Sequence, residues 1–127
     1  MKLKALTPIL FVTNVNESVI FYQKYLDFEV VANVPEAGEW DFALLQSGGI
    51  SIMIQAIKSA AELFDNQVVG SSTILYIDVE NIAELYARMK GNVPIVQEMK
   101  ETFYGTREFS VKDSDGYIVS FAEDQKA

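Results

Sequence analysis

The feature that most constrains this chain is a stretch that occurs twice. Residues Tyr104 to Glu123 read YGTREFSVKDSDGYIVSFAE, two alternating apolar runs joined by Asp113-Ser114-Asp115-Gly116. Alternation around a tight Asp-Gly turn predicts a β-hairpin. A weaker copy, WDFALLQSGGISIMIQ, runs from Trp40 to Gln55. Asp41-Phe42 aligns with Glu108-Phe109, Gly49 with Gly116, and Met53 with Ser120, at an offset of 67 (120 − 53). Ile9-Leu10-Phe11-Val12 also matches Ile74-Leu75-Tyr76-Ile77, at an offset of 65 (74 − 9). A period this long is not that of a solenoid repeat. Two copies of one βαβββ unit predict a pseudo-two-fold domain.

The intervening residues fit that unit. Ala5 to Val12 reads as a strand, with Pro8 where no backbone donor is needed. Asn14 with Glu17 three residues on resembles a capping box. Val15, Val19, Tyr22 and Leu26 then lie on one face of a helix. Glu29 to Val34 is the next strand, Pro35 to Glu39 a loop, and Trp40 to Leu45 with Ile50 to Gln55 the first hairpin. In the second unit, Ser72 to Ile77 is a strand, Asp78 an expected N-cap, and Asn81 to Lys90 an amphipathic helix stopped at Gly91. Pro94 to Met99 reads as a short strand and Lys100 to Thr106 as a loop. The expected modules are 1–58 and 70–127, with a connector at 59–69 whose centre, Ser59 to Asn66, suits a short helix.

Strand alternation assigns faces. Leu10, Val12, Leu75 and Ile77 share parity with the helix side. Thr7, Ile9, Phe11, Ser72, Ile74 and Tyr76 point the other way, as do Ser51, Met53 and Gln55 in one hairpin and Ile118, Ser120 and Ala122 in the other. This mixed apolar face with hydroxyls reads either as plain packed core or as the lining of a small-molecule site.

Composition narrows the function. The chain has 127 residues, enough for one domain with a core of its own. A net charge of −8 disfavours nucleic acid and anionic membranes, which need a basic patch. No apolar run is long enough for a membrane span or signal sequence, so a cytoplasmic location is expected. There is no Cys and no His. Thiolate chemistry is therefore excluded, and the commonest metal ligand and general base are missing. No nucleophile–base pair, phosphate loop or dinucleotide motif stands out, and no catalytic residue is assigned.

The ordered set Pro8 to Val12, Asn14-Val15, Ser18 to Tyr22, Tyr25-Leu26 before Phe28, and Arg107 to Asp113 with Asp115-Gly116-Tyr117 resembles the vicinal-oxygen-chelate superfamily. That superfamily includes glyoxalase I, extradiol dioxygenases, and fosfomycin- and bleomycin-resistance proteins. The resemblance spans essentially the whole chain. It implies an α+β fold in which two βαβββ modules form an open, cup-like mixed β-barrel, usually within a homodimer. The superfamily's metal enzymes take ligands from four strand positions, which the repeat places at Thr7, Met53, Ser72 and Ser120. Three hydroxyls and a thioether are poor donors for a divalent ion. Gln55 and Glu123 lie nearby, but Glu123 has the opposite parity to Ser120.

The closing segment is most similar to the bleomycin-resistance branch, whose members bind a cationic drug without metal or chemistry. The resemblance thus implies a metal-free, cofactor-free homodimer that sequesters or senses a small, partly aromatic or cationic molecule. Its expected ligand-binding residues are Thr7, Ile9, Phe11, Trp40, Met53, Gln55, Ser72, Ile74, Tyr76, Phe103, Tyr104, Arg107 and Ser120. A lyase, isomerase or dioxygenase with unusual metal ligands is the alternative. Trp40, Phe42, Phe103, Tyr104 and Phe109 are able to stack on a planar ligand; some must be core, with Phe42 and Phe109 foremost. Arg107 serves either an ion pair with Glu108 or Asp41, or an anionic ligand group.

Overall fold

Alternating burial along the strands sorts this chain into two repeats of the same layered unit. The computed structural model describes residues 1–59 and 72–125. The chain divides into two compact units, Met1–Val69 and Gly70–Ala127. Each is βαβββ with a four-stranded mixed sheet, so the fold is α+β.

In the first unit the elements are β1 (Ile9–Val12), α1 (Val15–Leu26), β2 (Glu29–Val34), β3 (Phe42–Ser47) and β4 (Ile50–Ala56). Sheet order is β1-β4-β3-β2, with β1 parallel to β4 and the other pairs antiparallel. Asn14 starts α1: its Oδ1 accepts the Glu17 N–H at 3.0 Å, satisfying a donor the helix cannot. Asp27 ends the helix in the left-handed region, φ 55°. Val15, Ser18, Val19, Phe21, Tyr22 and Tyr25 are its buried positions. Leu10, Val12, Ala43, Leu45, Ile52, Ile54 and Ala56 supply the buried side of the sheet. Each large apolar side chain so buried contributes about 1.5–3 kcal/mol before entropy is counted.

The second unit repeats the plan with β5 (Ile74–Asp78), α2 (Ile82–Met89), β6 (Ile95–Glu101), β7 (Thr106–Lys112) and β8 (Ile118–Asp124). Order is β5-β8-β7-β6. Ile82, Leu85 and Met89 are the buried positions of α2. Phe109, Val111, Val119 and Phe121 are buried on the sheet, with the Phe109 ring 4.9 Å from Tyr86 and 5.1 Å from Phe121. Gly91 follows α2 at φ 88°, a conformation open to glycine, as expected for its stop.

Several boundaries differ from expectation. β1 begins at Ile9, leaving Thr7 before the strand, and β5 begins at Ile74, two residues after Ser72. β3 covers Phe42–Ser47 and β6 runs on to Glu101, because pairing with the next strand continues past the apolar run. Asp78 is not the cap of α2 but the last residue of β5. The N-cap is Asn81, at φ 59° with no side-chain cap bond of its own. The Glu123 carboxylate on β8 takes that role, accepting the N–H of Asn81 at 2.8 Å and of Ile82 at 3.2 Å. The short helix expected at Ser59 to Asn66 falls almost wholly outside the described residues.

Pairing also corrects the repeat alignment. Met53 lies beside Ile9 and Ser120 beside Tyr76, so the first strands correspond at 67 (76 − 9), not 65. The N-caps Asn14 and Asn81 agree with that offset. A slip of two residues keeps every side chain on its face, so the faces stand although Phe11 now corresponds to Asp78. β3 and β7 instead correspond at 66: Leu44 is the partner of Met53, and Ser110 of Ser120. Phe109 is thus equivalent to Ala43, and Glu108 to Phe42.

Candidate functional site

In each unit one sheet face packs on the helix and the other carries the half-buried and exposed side chains. Ile9 is 45% exposed where its neighbour Leu10 is 1%. Ile74 and Tyr76 are 56% and 55% exposed, while Leu75 and Ile77, which alternate with them, are half-buried.

The open face of the first unit is mainly apolar. Register sets Phe11, Gln55, Phe42 and Val34 in one row across the sheet, and Ile9, Met53, Leu44 and Ala32 in the next. Gln55 donates to Ser59 Oγ at 3.2 Å, and Gln46 to Ser51 Oγ at 3.2 Å. Phe42, expected in the core, stands on this open face half-buried; the one-residue difference between β3 and β7 puts it opposite the side that Phe109 takes.

The open face of the second unit is polar. Tyr76, Ser120, Ser110 and Gln97 form one row from β5 to β6. The Ser110 and Ser120 hydroxyls are 2.7 Å apart, and Ser110 Oγ lies 3.4 Å from Gln97 Oε1. The next row holds Asp78, Ala122, Glu108 and Lys100. Glu108 is its centre. Its Oε2 accepts from Tyr76 Oη at 2.5 Å, Thr106 Oγ1 at 2.9 Å and Tyr104 Oη at 3.0 Å. Thr102 Oγ1 stands 2.7 Å behind Thr106 Oγ1.

The electrostatics follow from these bonds. Burial disfavours the charged Glu108, but the Tyr76, Thr106 and Tyr104 hydroxyls outweigh it and hold the carboxyl below its ordinary 4.5. Tyr76 responds in the opposite sense. Its hydrogen bond to Glu108 comes first, then desolvation, and together they push the phenol up to about 12. Tyr104 is raised too, chiefly by the same carboxylate.

Of the sequence-predicted residues, Ile9, Phe11, Met53 and Gln55 share the first open face, and Ile74, Tyr76 and Ser120 the second. Thr7 precedes β1, next to Pro8, whose carbonyl accepts the Met53 N–H at 2.9 Å. Ser72 is exposed at φ 68°, four residues from Tyr76, the neighbour of Ser120, and so is not beside Ser120. Trp40 lies in the loop before β3, its N–H donated to Asn16 Oδ1 at 2.8 Å. Phe103 and Tyr104 form the β6–β7 turn with rings 4.9 Å apart, Phe103 fully exposed. Arg107 pairs with Glu123 and shares the helix-side parity of Phe109, so it does not line the open face. Among the described residues the ion pairs are those of Lys58 with Glu39 and Asp41, both at 4.0 Å.

Glu108 and Thr106 were missed by the sequence reading. The available signal was parity: both alternate with Phe109 and Val111 and therefore belong on the face with Ser110 and Ser120.

These faces do not suit a divalent metal. Among the described residues no three His, Cys, Asp or Glu side chains gather as a metal site would need. Glu123 is turned to the helix side, where it caps α2. Met53, Ser120, Thr7 and Ser72 offer a thioether and hydroxyls, which fit neither Zn2+ nor the harder ions well.

The family model "Glyoxalase/Bleomycin resistance protein/Dioxygenase superfamily" matches residues 3–121. The chain belongs to this superfamily. Solved structures share its fold. TioX from Micromonospora sp. ML1 is 21% identical, TM-score 0.78, with 95% of this chain and 98% of that chain covered. An integron cassette protein from V. cholerae is 20% identical, TM-score 0.74, with 97% of each covered. A lactoylglutathione lyase from Agrobacterium tumefaciens is 13% identical, TM-score 0.75, with 96% and 95% covered. A search of curated proteins found no match. Among the described residues no helix is long and apolar enough to cross a membrane.

Proposed function

We propose that this chain is a metal-free binding protein for a small, partly aromatic or cationic molecule, acting as a cytoplasmic homodimer by sequestration or sensing. The observation that carries this reading is the donor chemistry at the metal positions the resemblance implies on the paired strands, Met53 and Ser120, a thioether and a hydroxyl whose neighbours on β1 and β5 are Ile9 and Tyr76. The open faces support it. One offers Ile9, Phe11 and Met53 as apolar contact area; the other offers Tyr76, Ser120 and hydroxyl hydrogen bonds. Small-molecule sites draw on apolar area and on a few hydrogen-bonding groups, and each face is a candidate by itself. Trp40, Gln55, Ile74, Phe103 and Tyr104 are further contact candidates.

The test has two measurements. Protein purified without chelator is expected to contain no stoichiometric nickel, zinc, iron or manganese. Stoichiometric metal that disappears in Met53→Ala and Ser120→Ala would instead favour a metal-dependent enzyme. Fluorescence of Trp40, the single tryptophan, is expected to be quenched saturably by members of a panel of planar aromatic compounds. No quenching and no thermal shift across the panel would remove the binding reading. Sedimentation velocity scores the dimer separately.

A further inference from the structure

The Glu108 cluster has a one-sided hydrogen-bonding character. Three hydroxyl protons are committed to Oε2: those of Tyr76, Tyr104 and Thr106. Thr106 Oγ1 in turn meets Thr102 Oγ1, and the Thr106 N–H is donated to Thr102 Oγ1. Once these protons are spent, what the phenols and the carboxylate can still offer is lone pairs. The cluster accepts and does not donate.

It is also charged. Hydroxyl donors stabilise a carboxylate without neutralising it, and no ion pair to Glu108 occurs among the described residues. Lys100, opposite it on β6 and exposed, acts on it through space. Tyr76 and Tyr104 stand about half exposed beside it, so the site opens to solvent between aromatic rings. Asp78, in the same row, offsets Lys100, and a concentrated set of acceptors with net negative charge and aromatic walls selects a group that is all donor and positively charged.

We propose that Glu108, with Tyr76 and Tyr104, is the anchor for a protonated amine, amidinium or guanidinium group of the ligand. This rests on the binding-protein reading above and narrows it to cationic ligands. The charged group lies against Glu108 Oε1 and the two phenolic oxygens, while the rest of the ligand extends along the row Tyr76, Ser120, Ser110.

Two probes of matched shape test the assignment, benzamidinium chloride and neutral benzamide, titrated against 15N-labelled protein. Benzamidinium is expected to shift the backbone amides of Tyr76 and Tyr104 to Glu108 saturably. Benzamide is expected to bind there about tenfold more weakly or not at all, as is benzamidinium to Glu108→Gln, since a charge-assisted hydrogen bond is at stake. Tyr104→Phe, which keeps the charge and alters only an exposed hydroxyl, is expected to weaken benzamidinium about two- to threefold. Equal binding of the two probes, binding unchanged in a folded Glu108→Gln, or no binding of benzamidinium would overturn the assignment. Should Glu108→Gln lose its amide dispersion, unchanged affinity in Tyr104→Phe decides against it. The planar-aromatic panel scores the parent reading independently: quenching by neutral members with no preference for benzamidinium leaves a binding protein whose ligand is not held by its charge.

Discussion

The two units share a topology and differ in what they do with their open faces. In the first, the row beside Met53 is Ile9, Leu44 and Ala32, and the row beside Gln55 is Phe11, Phe42 and Val34. In the second, the corresponding rows carry Tyr76, Ser120, Ser110 and Gln97, then Glu108 and Lys100. A duplicated scaffold has thus kept its helix-side packing while one copy became apolar and the other acidic and hydroxyl-rich on the opposite side. The packed side tolerates little change, because each large side chain there fills a defined space. The open side has no such constraint and is free to diverge.

Phe109 and Phe42 put this difference to the hardest test. Aligned by sequence they are equivalents; by strand pairing they are not. Phe109→Ala removes a ring that is 1% exposed and packed on Phe121 and Tyr86, and is expected to cost about 3–5 kcal/mol. Phe42→Ala, on the open face, is expected to cost less than about half of that. Urea denaturation of both variants reads the difference, and equal losses would refute the register offset between β3 and β7.

The helix caps come next. Glu123→Ala takes away the carboxylate that serves two N–H groups of α2, and about 1–2 kcal/mol is expected. Asn14→Ala removes one cap bond from the longer α1, and about 1 kcal/mol is expected. Hydrogen exchange sharpens the contrast: Glu123→Ala should expose amides of α2, although the substituted residue is in β8. Smaller again, Ser120→Ala removes the nearer partner of the buried Ser110 hydroxyl and leaves it Gln97 Oε1 at 3.4 Å, at a cost of about 1 kcal/mol, whereas Met53→Leu at the matching position should be nearly neutral, within about 1 kcal/mol.

Titration separates the two faces without unfolding either. Glu108 is lowered in the folded state, so its contribution to stability is complete above its ordinary 4.5 and fades as pH falls through the folded value. Tyr76 is raised, so its contribution is complete below the ordinary 10.0 and fades as pH rises through about 12. Ultraviolet titration of the phenolates should therefore find Tyr76 resistant to ionisation at pH 11 and Tyr104 shifted upward from its ordinary value. In Glu108→Gln both should ionise nearer 10. If the wild-type and variant curves coincide, the hydroxyl cluster does not exist in solution.

Much of this was legible in the residues, for a specific reason. Side-chain alternation survives any even slip, so Leu10, Val12, Ile9 and Phe11 were assigned to their faces although the repeat was misaligned by two. The slip of one between β3 and β7 had no such protection. It arises because the stretch from Lys112 to Ile118 is one residue longer than its counterpart from Gln46 to Ser51, and no periodicity within a strand records the length of a turn. It moved Phe42 out of the core and concealed the position of Glu108. Asp78 was mistaken for a cap because local spacing carries no hint that a carboxylate 42 residues beyond Asn81 occupies the helix terminus. The Glu108 cluster draws on β5, β7 and the turn between β6 and β7, and only tertiary structure brings those three together.

That borrowed cap has a consequence for the order in which the protein acquires its shape. α1 carries its own start signal, Asn14, inside its own segment. α2 has only eight residues, too few to persist alone in water, and the group that completes its first turn belongs to the final strand. During synthesis the helix is made long before Glu123, and until β8 takes its place that terminus has only solvent to bond with. The helix of the first unit has its cap within its own segment; that of the second is complete only once β8 is in place.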